Sequence, residues 1–361
     1  MPHESYKKWA ERLDALPNGY PPTEDGAELR LLEYLSTPEE AALAAELRLT
    51  LETPQQIAAR LGGDVKTTKN MLKTMLRKGL INAGRAEGGF GYGLLPFVVG
   101  IYEMQIGRID AQLAQLFEDY YQRAYSRVLA VEPAVHRVIP VNQTVKVDME
   151  VHPFESATGI VDSANAWGVM DCICRKQKDL IGDPCSHPIE DTCMIFSKRP
   201  GAFDGNEVVR ALTQEEAHTT LKRAADAGLV HSVSNTQEGL HYVCNCCTCS
   251  CGVLRGMAEM GMANVVARSA FLNQVDPDLC QGCETCVDYC QFDALAMGEE
   301  FVMEVSGLRC VGCGVCVPAC PDEALVLVRR PEDELRPVPP RESDWMSERA
   351  VARGLDLTEV L

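Results

Sequence analysis

The sequence predicts an α+β multidomain chain built from three unlike parts, on three observations. Capped Ala/Leu-rich segments followed by a glycine-rich turn fill the first part. Alternating strand patterns and nine cysteines fill the middle. Two copies of CxxCxxCxxxC, starting thirty residues apart, stand near the C-terminus. The boundaries they suggest are 1–98 for a winged-helix-like domain, 99–130 for a connecting helix, 131–270 for a cysteine-rich α+β domain, 271–328 for the twin-repeat domain, and 329–361 for a linker and tail.

In the first part, Thr37-Pro38-Glu39-Glu40 and Thr53-Pro54-Gln55-Gln56 each place a threonine cap before a proline at the first helical position. The second of these is expected to open a short helix over 57–61. Asp64 can cap a third helix over 65–78 whose apolar stripe is Met71, Leu72, Met75 and Leu76, and Gly79 ends it. An extended segment and the turn Gly88-Gly89-Phe90-Gly91-Tyr92-Gly93 follow, so the order helix, helix, helix, hairpin resembles a winged helix. Its third helix carries Lys66, Lys69, Lys73, Arg77 and Lys78 with no acid inside it, as a DNA-reading helix would. A net charge of −18 argues against nucleic acid as the main partner, and such modules also dock proteins.

Residues 100–129 read as one long amphipathic helix (Ile101, Met104, Ile106, Ile109, Leu113, Leu116, Phe117, Tyr120, Tyr121), packed on the first part or against a second copy of the chain. Residues 138–151 alternate as strands do, and 155–167 read as a helix leading into Asp171-Cys172-Ile173-Cys174-Arg175. A further helix over 213–227 opens on the capping box Thr213-Gln214-Glu215-Glu216 and closes at Gly228.

The twin runs carry the chemistry. A [4Fe-4S] cubane needs four thiolates. A tight loop with cysteines every third residue supplies three, and in the bacterial ferredoxin pattern the last cysteine of each run serves the other run's cluster. One cluster then takes Cys280, Cys283, Cys286 and Cys320, and the second takes Cys310, Cys313, Cys316 and Cys290. Cys320-Pro321 keeps the proline this pattern expects, while Cys290-Gln291 lacks it. Gly282, Gly312 and Gly314 suit loops whose backbone must approach the cluster sulfurs. Zinc sites come as CxxC pairs with wider gaps, and thiols this dense suit a metal better than disulfides. The expected fold of this part is a bacterial-type 2[4Fe-4S] ferredoxin domain.

The other nine cysteines are Cys172, Cys174, Cys185, Cys193, Cys244, Cys246, Cys247, Cys249 and Cys251. The last five fall within eight residues, just before an expected helix near Val253 whose N-terminus would favour thiolate. Core packing does not explain that density. A subset is expected to hold one or two additional Fe-S clusters. A structural zinc on Cys172, Cys174, Cys185 and Cys193, with His187 or His241, and thiol redox chemistry are the alternatives. His136, His152, His218 and His231 read as surface or core residues. Trp167 reads as core or as cover for a cluster, and Tyr289 and Phe292 as cluster cover.

Several of these motifs together resemble a family of anaerobe iron-sulfur proteins described as 4Fe-4S ferredoxin-type proteins. They are Asp171-Cys172-Ile173-Cys174-Arg175, Gly182-Asp183-Pro184-Cys185, Asp191-Thr192-Cys193, Ala225-Asp226-Ala227-Gly228-Leu229-Val230-His231 and Cys244-Asn245-Cys246-Cys247. In that family a cysteine-rich module precedes a two-cluster ferredoxin domain, and many members carry a winged-helix-like N-terminus. A further cysteine often stands where this chain has Ser250. The resemblance implies electron transfer in anaerobic metabolism and names no substrate.

Neither GxGxxG after a strand, a phosphate loop, nor GxSxG is present, so an electron carrier or oxidoreductase subunit is expected rather than a stand-alone enzyme. The N-terminus has no apolar leader and the longest apolar run, 93–102, contains Pro96, so a cytoplasmic protein without membrane insertion is expected. Between Phe271 and Arg330 ten acids face three bases, which predicts redox partner proteins with a basic docking face. The expected function is single-electron shuttling between cytoplasmic oxidoreductases. The alternatives are an iron-sulfur redox-sensing transcription regulator and an oxidoreductase subunit with an open iron site.

Overall fold

The computed structural model describes residues 3–141, 151–262 and 265–361. The chain divides into two compact units: Met1–Val131 with Asp179–Asp183 and Met346–Leu361, and Glu132–Lys178 with Pro184–Trp345.

The first unit opens with a helix the sequence reading passed over, α1 (Glu4–Asp14), which buries Tyr6, Trp9, Ala10 and Leu13 at helical spacing. It packs on α3 (Pro38–Ala45). Both threonine capping boxes form, opening α3 and α4 (Pro54–Leu61), the latter three residues earlier than expected because Pro54 occupies its first turn. Asp64 caps α5 (Val65–Arg77), which buries Leu72 and Met75. Strands β1 (Asn82–Ala86) and β2 (Gly89–Gly93) pair antiparallel, and Glu52 bridges to Tyr92 beside them.

The single helix expected over 100–129 is interrupted. Asp110, extended at φ −125° and ψ 178°, accepts a hydrogen bond from Leu113 N and starts the helix afresh at Ala111. From there α6 (Ala111–Tyr120) runs through a π-turn (Tyr121–Tyr125) into α7 (Ser126–Leu129). Helix α6 packs on α2 (Ala27–Leu35). Tyr20 lies 4.7 Å from Phe97 and 4.8 Å from Tyr120 between ring centroids, and Tyr102 stacks on Phe117 at 3.8 Å. The chain's last sixteen residues belong to this unit. There Arg349, fully buried, donates from Nε to Pro17 O at 2.8 Å and from Nη2 to Val128 O at 2.7 Å, and also bonds Val131 O.

The second unit centres on a seven-stranded sheet of order β6-β4-β5-β8-β7-β3-β9. Its members are β3 (His136–Val138), β4 (Ala166–Met170), β5 (Cys193–Ser197), β6 (Arg210–Leu212), β7 (Val230–Ser234), β8 (Tyr242–Cys246) and β9 (Val266–Ala267). All neighbours run antiparallel except β3 and β9. The helix expected over 155–167 is shorter, α8 (Ala157–Asp162), and Trp167 lies on β4. Trp167 donates to Val161 O at 2.8 Å and packs on the core, so it is a core residue and not a cluster cover. Most of the strand pattern expected over 138–151 falls on 142–150, outside the described residues.

Helix α9 (Ile173–Leu180) follows Cys172, and α10 (Gln214–Asp226) forms with its Thr213 capping box and is closed by Gly228 at φ +74°. Residues of α8 and α10 join Val169, Met194, Phe196, Val233 and Val243 in one apolar cluster. Because side chains alternate along a strand, burying Val243 and Met194 on that face sends Cys244, Cys246 and Cys193 to the other.

Beyond the sheet, β10 (Phe271–Val275) pairs with β13 (Leu325–Arg329), and β11 (Leu295–Met297) with β12 (Met303–Val305). The segment 331–340, expected as a linker, is held at Gln237 N→Pro339 O (3.0 Å) and Glu238 N→Pro340 O (2.9 Å). No helix among the described residues is long and apolar enough to cross a membrane.

Replacing Arg349 with Met should strip three carbonyls, two of them buried, of their donor and destabilise the first unit by about 3 kcal/mol. Urea unfolding followed by circular dichroism checks this, and an unchanged midpoint would contradict it.

Candidate metal centres

The twin cysteine runs come together in the second unit. Cys280, Cys283, Cys286 and Cys320 line one cavity together with Gln281, Glu284, Met303, Asp322, Ala324 and Leu325. Cys310, Cys313, Cys316 and Cys290 form a neighbouring set, close enough that Cys310 and Cys290 both act electrostatically on Cys313 and Cys316. Cys320 thus lies beside the first three cysteines of the first run, and Cys290 beside those of the second.

These residues fit a cubane cluster. Gly282 (φ +65°), Gly312 (φ +71°) and Gly314 (φ +74°) are left-handed. A Cβ on Gly282 would strike Phe301 O, and one on Gly312 would strike Phe271 O and Ser269 Oγ. Backbone N–H groups of Ala294 and Ala324 donate to Cys290 Sγ and Cys320 Sγ at 3.3 Å each, and Met303 N donates to Cys280 Sγ at 3.5 Å. Asn273 Nδ2 donates to Cys316 Sγ at 3.3 Å. Burial pushes Cys286 up to about 11 and Cys313 up to about 12, so these thiols ionise when a metal supplies the compensating charge.

Of the two aromatic residues expected to cover this region, Phe292 is buried, whereas Tyr289 is 43% exposed and shields little. Tyr289 closes the short helix Thr285–Tyr289, whose outer side faces solvent.

The nine other cysteines divide into two groups. The first is a closed ring of six thiols. Cys174 and Cys193 hydrogen-bond to Cys172, Cys244 and Cys251 to Cys246, Cys244 to Cys193, and Cys174 to Cys251. Cys193 and Cys244 are direct partners across β5 and β8. Ser232, one strand further along, lies 3.6 Å from Cys246 Sγ. None of the six is exposed. The bonds from Cys244 and Cys251 lower Cys246 to about 6 against its burial.

The second group is Cys185, His187, Cys247 and Cys249, whose ligand atoms all lie within 4.8 Å of one another. Cys185 Sγ is 3.9 Å from Cys247 Sγ, and Cys249 Sγ is 3.6 Å from His187 Nδ1. The zinc alternative drawn from sequence joined Cys185 to Cys172, Cys174 and Cys193. The structure instead sorts Cys185 with His187 and leaves the other three in the ring. His241 is in neither group, its Nδ1 lying 3.0 Å from Gly239 O.

The helix expected near Val253 starts at Arg255 and runs only to Met260, so the cysteines before it sit on β8 and on a turn closed by Cys251 N→Cys247 O (3.0 Å). That turn separates the groups, with Cys247 on one side and Cys251 on the other.

Between the two groups lies Arg175, which is 2% exposed. It donates from Nη2 to Thr192 Oγ1 at 2.7 Å, and from Nη1 to Asn245 O at 3.1 Å and towards Cys247 Sγ at 3.7 Å. Burial alone would lower this guanidinium, but the thiolates of Cys172 and Cys247 outweigh it and raise the pKa. Asn245 is held by His231 Nδ1 (2.6 Å) and donates to Thr192 O (2.7 Å). Sequence reasoning quoted Arg175 and Asn245 only within motifs, gave neither a role, and passed over Ser232.

Gln291 is the other residue whose role only the structure reveals. At the position of the missing proline, its Oε1 accepts from Thr248 N at 2.8 Å and its Nε2 donates to Gly228 O. The ferredoxin-like end thereby grips the turn between Cys247 and Cys249.

Residues 279–324 match the family of 4Fe-4S dicluster domains. Comparison with curated proteins and with solved structures returned no match. The matched segment contains both twin runs, and it makes the chain an iron-sulfur protein with at least one [4Fe-4S] cluster and an electron-transfer role.

Asn273 Oδ1 has no hydrogen-bond partner although the residue is buried, so this amide costs stability that a leucine would not. Asn273→Leu should leave the fold intact yet lower one cluster potential. Loss of about 1 kcal/mol of differential hydrogen bonding corresponds to about 40 mV for one electron. Protein-film voltammetry reads the shift, and an unchanged potential would refute the role.

Proposed function

We propose that the chain is a multi-cluster electron carrier that passes single electrons between cytoplasmic oxidoreductases in anaerobic metabolism. Two [4Fe-4S] clusters are assigned to Cys280, Cys283, Cys286 and Cys320 and to Cys310, Cys313, Cys316 and Cys290. A further iron-sulfur centre is assigned to the six-thiol ring. The carrying observation is that Cys320 lies with the first run's thiols and Cys290 beside the second run's, which supports two adjacent sites that exchange a ligand. Bound there, such clusters accept and release one electron each.

The ring supports a polynuclear centre because a single tetrahedral ion uses four ligands and here six thiols interact. The protein's part is to hold these thiolates, keep water from them and present one edge to a partner. Cys283 is exposed, and Glu284 and Asp322 line its cavity. All ten acids between Phe271 and Arg330 are exposed. Of the three bases, Arg330 is buried and donates to Cys310 O at 2.6 Å, Arg329 pairs with Glu155 at 3.2 Å, and only Arg309 is exposed. The surface that meets a partner is thus more acidic than the sequence count, and it suits a basic docking face.

A second reading, an iron-sulfur redox-sensing regulator, is favoured by α5, which exposes Lys66, Lys69, Lys73 and Arg77, and by the winged-helix-like bridge from Glu52 to the hairpin. A gel shift with oxidised and reduced protein separates the two readings, because a carrier leaves duplex DNA unshifted in both states.

Iron and sulfide analysis with EPR on anaerobically purified protein tests the main reading. Wild type should hold more than about eight iron per chain, the number two four-iron clusters supply. Cys172→Ser and Cys246→Ser should return it to about eight. Eight in the wild type would remove the third centre. In a separate measurement, Glu284→Lys with Asp322→Lys should slow reduction of a basic cytochrome by about tenfold at low salt, with the difference fading as salt rises.

A further inference from the structure

We infer that Cys185, His187, Cys247 and Cys249 hold one tetrahedral divalent ion of the zinc class, a fixed structural ion separate from the redox centres. The distances carry this. With zinc–sulfur bonds of about 2.3 Å and zinc–nitrogen bonds of about 2.0 Å, the edges of a tetrahedral site are about 3.8 Å between sulfurs and about 3.5 Å from sulfur to nitrogen. The observed values are 3.9 Å for Cys185 Sγ to Cys247 Sγ and 3.6 Å for Cys249 Sγ to His187 Nδ1, with all four atoms inside 4.8 Å. A cubane spreads its ligands over four separate irons, one thiolate each, so its ligand atoms must stand further apart than the edge of a single ion's shell.

The donor set selects the ion. Three thiolates and an imidazole are too soft for calcium or magnesium and suit zinc, and four protein ligands leave no open position, as in structural sites. Three thiolates around a divalent cation leave one surplus negative charge, which the buried guanidinium of Arg175 faces at 3.7 Å from Cys247 Sγ. Ser250, buried, donates to Cys185 Sγ at 3.3 Å. Its hydroxyl therefore orients a ligand from outside the shell, and no fifth ligand is missing at that position. The ion would clamp the turn that offers Thr248 N to Gln291 and carries Cys251 into the ring.

Zinc and iron counted in the same anaerobic preparation test the inference independently of the electron-carrier reading. Wild type should contain one zinc per chain. His187→Ala and Cys249→Ser should each lower zinc occupancy at least about tenfold in the presence of a competing chelator, while iron per chain is unchanged. His187→Cys, which supplies a fourth thiolate, should keep the zinc. Cys249 is exposed, and retained iron reports that its variant is folded. A wild type without zinc, variants that keep it, or variants that lose iron in its place would overturn the inference. Missing ring iron with zinc retained would overturn the third centre and leave this site standing.

Discussion

The second unit depends on solving one electrostatic problem: of its seventeen thiols, whose metal-binding form is the anion, all but Cys249 and Cys283 are buried or partly buried, where the dielectric is low. Each group meets it differently. The twin-run sets use backbone N–H donors from Ala294, Ala324 and Met303, and burial raises Cys286, Cys313 and Cys316 so that a metal must supply the charge that ionises them. The ring and the His187 group share a permanent cation. Arg175 could not be buried alone, but beside Cys247 and between the carbonyl of Asn245 and the hydroxyl of Thr192 its charge is matched. Its neighbours are fixed in turn by Asn245, which ties β8 to Thr192, so the cation is positioned by strand pairing and not by a flexible loop.

Gln291 shows how the parts of this unit communicate. A proline at that position shapes the backbone but has no side-chain amide. Gln291 gives up that constraint and both accepts from Thr248 N and donates to the carbonyl of Gly228. Gly228 can offer its carbonyl because its left-handed backbone ends α10 there. One side chain thus joins the residue after Cys290, the end of a helix packed on the sheet, and the turn that separates the two groups of middle cysteines. Other contacts in the same region are Val141 N→Cys313 O and Ser269 N→Val311 O, both 3.0 Å.

Local rules made much of this legible. Threonine caps, the Asp64 cap and the Thr213 box stand where the sequence puts them, because capping is decided within four residues. The gathering of the twin runs was legible for the same reason, with ligand spacing and loop glycines both written locally. The helix expected over 100–129 was misread because apolar spacing continued through Gly107 and Asp110, and Ile106 and Ile109 are indeed buried without being helical. The sorting of the nine cysteines was hidden for a different reason. Cys246 and Cys247 are adjacent in sequence, yet strand alternation carries Cys246 to the ring and the end of the strand releases Cys247 to His187. Only knowing where β8 stops separates them. A partial clue lay in Cys244 and Cys246, which share a strand face by their spacing of two.

The arrangement also gives the proposed electron route a direction. Of the two four-thiol sets, the one containing Cys313 and Cys316 is bounded on the inside by Val141, Ser269 and Asn273, and its partner cysteine Cys290 leads through Gln291 to the middle cysteines. The other set has Cys283 exposed, acids at its rim and, above Gly282, the hairpin residue Phe301 with 78% of its surface in solvent. An exposed aromatic among acids suits a docking surface, with an apolar anchor surrounded by charges that steer a partner. In the proposed route the outer set would be the terminal for exchange with a partner, and the inner set the link to the ring. A His187 site that keeps one oxidation state fits beside that link, because it can fix the geometry of the turn without taking an electron from the route.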